Sequence, residues 1–179
     1  MNSGSIGLGT WLGIRVNVHW SVAVIGMLLG SSLAGAIGWF AALIGVVAFL
    51  ASILAHEFSH ALTARRFGVE TESIQLWALG GIARLRSEAP TARAEGGIAA
   101  AGPLASATLS VLLGVLWWFG GGRTLDGAGW MLLLWLAVIN AMLAVFNLLP
   151  GRAAMLDAQA VGGGQQGADF LGNRRHLLA

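Results

Sequence analysis

Four apolar runs, Trp20–Gly35, Ile37–Ala64, Gly96–Trp118 and Trp130–Leu149, carry almost no charge and leave the chain little choice of solvent. A helix needs roughly 20 apolar residues to cross a hydrocarbon layer. The last three runs reach that length, and the first does so only by borrowing from Val16–His19. With 56% hydrophobic and 10% charged residues in a chain of 179, the apolar surface exceeds what one soluble core takes up. The expected fold is an all-α polytopic membrane protein with about four transmembrane helices. The 27 glycines and eight tryptophans agree, because glycine lets membrane helices approach closely and Trp gathers at headgroup level.

Charge and cysteine content narrow the function. There is no cysteine, so neither a disulfide nor a thiolate-bound metal is available. All ten basic residues are Arg, and a net charge of +2 argues against nucleic acid as a partner. Cytoplasmic loops collect positive charge. Placing both termini in the cytosol puts Arg15, Arg65, Arg66, Arg84, Arg86, Arg93, Arg152, Arg174 and Arg175 on that side and only Arg123 opposite. Met1–Val18 lacks the pattern of a removable signal peptide, so insertion is expected to rely on the first helix.

Between the second and third runs, Val69–Arg86 alternates β-branched and apolar residues with polar ones. That pattern predicts a small β-hairpin or sheet at the membrane surface, with Gly80-Gly81 as its turn or bulge; the alternative is an irregular amphipathic loop. Residues 1–151 form the expected core. Residues 152–179, with Gly162–Gly164 and Gln165-Gln166, read as an irregular polar tail.

The chemistry gathers at His56-Glu57-Phe58-Ser59-His60, at the end of the second run. Spacing of four on a helix puts both imidazoles on one face, where they can share a Zn²⁺, and sets Glu57 beside them to accept a proton from water. Ionisable groups at membrane depth are costly unless paired or metal-bound. A catalytic zinc normally takes three protein ligands. The candidates for the third are His19, His176 and the acidic residues, of which Asp157 is the most attractive because it follows the fourth run on the same side. Asp126 falls opposite, and Glu70, Glu72, Glu88 and Glu95 read as loop charges. His19 reads either as an interfacial, hydrogen-bonded histidine or as a ligand. Asn140 and Asn147, seven apart, could bond a substrate backbone or join helices.

These residues resemble the site-2 protease family of intramembrane zinc metalloproteases. The resemblance runs through Gly13–Ser21, His56–His60 with Ala61–Val69, Gly80-Gly81-Ile82-Ala83, Ala101-Gly102-Pro103, and Asn140 with Phe146–Pro150, covering residues 13 to 151. It implies a zinc held by His56, His60 and an Asp near the end of the fourth helix, with Glu57 as base, in a bacterial or archaeal plasma membrane. The family's Asn-Leu-Leu-Pro segment leads into a Pro-x-Asp-Gly turn with its Asp eight residues after the Asn. Here Met155 holds that position and Asp157 comes two residues later, without the flanking Pro and Gly, so the segment after Pro150 reads as truncated or altered.

The implied activity is hydrolysis of peptide bonds in membrane-spanning substrates, or regulated intramembrane proteolysis, with Gly80, Gly81, Asn140 and Asn147 contacting the substrate. A substrate helix must unwind first, and the Val69–Arg86 segment could offer a strand edge to the extended chain. The alternatives are a family remnant that binds metal or membrane partners without cleavage, and a metal transporter, which would need polar residues on more of the spans.

Overall fold

The computed structural model describes residues 4–78, 80–121 and 127–148. The elements run β1 (Ser5–Trp11), β2 (Ile14–His19), α1 (Ser21–Ile37), α2 (Trp39–Arg66), β3 (Thr71–Trp77), β4 (Gly80–Leu85), α3 (Ala92–Phe119) and α4 (Ala128–Leu148). Helices α2, α3 and α4 are each long and apolar enough to cross a membrane. Helix α1, with 17 residues, spans about 25 Å, less than a hydrocarbon core of about 30 Å.

Local signals set the helix ends. Gly38, at φ +80°, turns the chain between α1 and α2, while its N–H still reaches Ala34 O at 2.9 Å. Arg65 and Arg66 occupy the last turn of α2, where positive charge complements the helix dipole, and Gly68 at φ +79° follows the stop. Thr91 caps α3 by accepting the Ala94 N–H at 3.1 Å. Pro103 lies inside α3 and removes one backbone donor there. Ser110 Oγ donates to Ala137 O at 2.7 Å and joins α3 to α4.

The four strands form one sheet in the order β1-β2-β3-β4. β1 and β2 are antiparallel, β2 and β3 parallel with α1 and α2 as the crossover, and β3 and β4 antiparallel. One sheet face contributes Ile14, Ile74 and Leu76 to a core shared with Val22 of α1 and with Ile53 and Ala61 of α2. The sheet therefore lies against the half of α2 that carries the histidine motif.

Two expectations are corrected. The sheet is not confined to the stretch between α2 and α3, because Ser5–His19 supplies half of its strands. Gly80 and Gly81 are not the turn: they open β4, paired with Trp77 and Leu76. The reason for glycine at residue 81 lies across the sheet, in what packs against it.

Candidate active site

On α2, His56 and Glu57 are buried and His60 is half-buried. The two imidazoles turn toward α3, and Glu57, one residue round the helix, turns toward β4. Each histidine is held by its Nδ1. His56 Nδ1 lies 2.9 Å from Ser106 Oγ, and His60 Nδ1 lies 2.6 Å from Ile98 O, one turn before Pro103 on α3. A carbonyl only accepts, so His60 carries its proton on Nδ1 and presents Nε2 as a lone pair. When Ser106 likewise accepts from His56, a second Nε2 lone pair faces the first.

The two Nε2 atoms are 3.1 Å apart. Two nitrogens on a tetrahedral zinc at about 2.0–2.1 Å stand roughly 3.3–3.4 Å from each other, so the pair is set close to ligand spacing. Space for an ion comes from a missing side chain: a Cβ on Gly102 would lie 2.6 Å from His56 Nε2 and would collide with His60 Nε2. The residues thus fit a divalent cation by donor type, by separation and by the gap kept in front of them.

Glu57 packs against a second glycine. A Cβ on Gly81 would fall 2.6 Å from the Glu57 carboxyl carbon and 2.7 Å from Oε1. No side chain larger than hydrogen fits there without moving the carboxyl group, which explains glycine at residue 81, whereas Gly80 has open space around it and takes φ +137°.

The remaining sequence candidates are spread out. Asn140 is completely buried, with Nδ2 donating to Leu136 O at 2.8 Å and Oδ1 without a partner among the described residues. Asn147 is exposed, and its Nδ2 donates to Leu143 O at 2.8 Å. His19 stands apart from the pair: its Nδ1 lies 2.8 Å from Ser21 Oγ, which accepts the Ala78 N–H at 3.0 Å, so it braces the start of α1 against the end of β3. Glu70 pairs with Arg86 and Glu72 with Arg15. Among the described residues no third His, Asp or Glu joins His56 and His60, and Asp157, Asp126 and His176 lie outside them. Ser106, Ile98 O and Gly102 were not singled out as site groups from sequence. Only the Gly-Pro pair inside an apolar helix hints at them.

Residues 44–125 match the model of peptidase family M50. Rip3 of Mycobacterium tuberculosis, by name a candidate zinc metalloprotease, is 44% identical over 162 residues, covering 82% of this chain and 40% of its own length. A zinc metalloprotease of Methanocaldococcus jannaschii is 31% identical over 151 residues, covering 82% of this chain and 41% of its own. The solved site-2 protease of Methanocaldococcus jannaschii superposes with a TM-score of 0.64 at 28% identity, over 82% of this chain and 65% of that one. This chain spans about 40% of the length of these two curated relatives.

Proposed function

This chain belongs to peptidase family M50, the site-2 proteases, and on that premise we propose that it is an intramembrane zinc metalloprotease hydrolysing peptide bonds of membrane-spanning proteins, as in regulated intramembrane proteolysis. The observation that carries the reading is the convergence of His56 and His60 Nε2, 3.1 Å apart, in front of Gly102 on a helix of membrane length. Zn²⁺ bound there supplies Lewis acidity, both to a scissile carbonyl oxygen and to the attacking water.

The chain's own residues do the rest. His56 and His60 hold the ion through Nε2, and Asp157 is the proposed third ligand. The Glu57 carboxylate accepts the proton of the attacking water and passes it to the leaving amine. Its burial against Gly81 keeps the acceptor out of bulk solvent. Among the described residues β4 ends the sheet order, and its outer edge could take an unwound substrate segment, which would gain backbone hydrogen bonds there, next to Glu57. Gly80, Gly81 and the exposed Asn147 border that path. Complete burial gives Asn140 the alternative role of joining helices. With α1 counted as a fourth, short crossing, the Arg distribution supports a site at the cytosolic side and both termini in the cytosol; a prokaryotic plasma membrane belongs to the same reading.

Glu57→Ala and Asp157→Asn test the assignment with a single-span substrate in proteoliposomes. Glu57→Ala is expected to keep stoichiometric zinc and lose cleavage, and Asp157→Asn to lose both. Unchanged cleavage by Glu57→Ala defeats the mechanism. Wild-type protein that holds zinc and cleaves nothing returns the reading to a family remnant.

A further inference from the structure

The β1–β2 hairpin exposes apolar side chains where a soluble hairpin would carry polar ones. Ile6 is 70% exposed, Trp11 49% and Leu12 64%. Partners across an antiparallel ladder share a face. Ile6 pairs with Val18 and Trp11 with Ile14, and both partners belong to the face packed on the helices. Ile6 and Trp11 therefore lie on the helix-facing side of the sheet, beyond the helices it covers.

The turn itself is unusual. Leu12 and Gly13 both take positive φ, +52° and +82°, a tight-turn geometry normally given to Asn-Gly. Leu12 is the one non-glycine residue with positive φ among those described, so an exposed leucine is kept at a strained position. The polar groups around it are hydrogen-bonded within the protein. The Trp11 indole N–H already donates to Leu8 O at 3.3 Å, and Arg65 at the end of α2 donates to Leu12 O at 2.7 Å, which sets a guanidinium beside the turn.

Depth agrees. α1 and α2 meet at Gly38, and α2 outruns α1 by about 16 Å at 1.5 Å per residue. The sheet, which leads directly into α1 and packs on α2, fills that step at the level where hydrocarbon gives way to headgroups.

The geometry points to β1 and the β1–β2 turn as a lipid anchor, with Ile6, Trp11 and Leu12 seated in the boundary between acyl chains and headgroups and Arg65 beside them for anionic headgroup oxygens. A second copy of the chain is a poorer occupant, because the bulge between Gly7 and Gly9 interrupts the register that strand-to-strand pairing needs. The inference rests on the membrane-embedded reading of α2 to α4.

The absence of cysteine makes the test direct. Ile6→Cys, Trp11→Cys and Leu12→Cys, each labelled with a polarity-sensitive fluorophore, would be reconstituted in vesicles of phosphatidylcholine with phosphatidylglycerol. Spin-labelled lipid, with the label near the top or the middle of the acyl chain, then reports depth. Ser73→Cys, on the opposite sheet face beside Arg15 and Asn17, is the aqueous control. Val111→Cys, exposed on α3, is the lipid control. The inference expects blue-shifted emission, quenched most strongly by the shallow label, at the three hairpin positions and not at Ser73→Cys. Water-like emission there overturns it, and so does blue-shifted emission without lipid quenching, which would mean protein covers the hairpin. Loss of quenching at Val111→Cys as well would instead reject the membrane reading.

Discussion

Replacing Ser106 with Ala should weaken zinc binding about 10- to 100-fold. In the folded chain Ser106 Oγ and His56 Nδ1 are 2.9 Å apart, and each residue is only 2% exposed. Removing the hydroxyl leaves the Nδ1–H with no acceptor, a desolvation penalty of about 1–3 kcal/mol for a buried donor. Histidine can escape by moving its proton to Nε2, but that consumes the lone pair the metal needs, so the penalty appears as lost affinity; outer-shell partners of metal ligands typically contribute 10- to 100-fold. The cleft of about 370 Å³ that touches His56 and Ser106 is lined otherwise by Ala55, Ala105, Leu109 and Leu112 and by Ser52 and Thr108, whose hydroxyls already donate to Phe49 O and Leu104 O, so a substituting water would find few partners. The assay is competition for zinc against a fluorescent chelator in detergent, with helicity checked by circular dichroism. Ser106→Thr keeps the hydroxyl and should recover most of the affinity. Ser59→Ala, whose hydroxyl bonds Ala55 O on the exposed side of the same helix, should change nothing. A folded Ser106→Ala protein with wild-type zinc affinity would refute the claim that α3 sets the tautomer of His56.

Two further substitutions separate the ion from the base. Gly102→Ala puts a methyl group 2.6 Å from His56 Nε2 and should abolish zinc binding. Because alanine favours a helix interior over glycine by about 1 kcal/mol, a helix that stays intact while zinc is lost locates the damage at the imidazoles. Gly81→Ala pushes on the Glu57 carboxyl group, so cleavage should fall at least about tenfold, the scale of a misplaced general base, while zinc affinity stays at the wild-type value. Full proteolysis by Gly81→Ala would mean that Glu57 has more room than its packing shows.

The helices were legible because lipid allows so few alternatives: α2, α3 and α4 fall within a few residues of the apolar runs that predict them. The His56/Glu57/His60 pattern was legible because four-residue spacing fixes a shared face. β3 and β4 showed through their β-branched residues. β1 did not, because Gly7 and Gly9 dilute its alternation; β2 alternates Ile14, Val16 and Val18 with polar residues, but it runs into the first apolar run and pairs with a strand more than 50 residues away, a fact no local window contains. Gly80-Gly81 read as a turn since adjacent glycines usually mark one, whereas here residue 81 yields space to a carboxyl group on another element. Gly102 showed only as part of the Ala101-Gly102-Pro103 match, without a role, and Ser106 not at all, for a related reason: a small residue that leaves room, or a hydroxyl that orients a ring, has no spacing of its own.

The parallel pairing of β2 with β3 encloses the whole α1–α2 hairpin between neighbouring strands. Arg15 cannot meet Ser73, nor Val18 meet Leu76, before both intervening helices have been made and folded back on each other. Loop closure of that length is slow compared with helix formation, so sheet completion comes late in assembly. The carboxyl group of Glu57 meets its neighbour Gly81 on a strand that follows both helices in the chain, so that contact belongs to the same late stage.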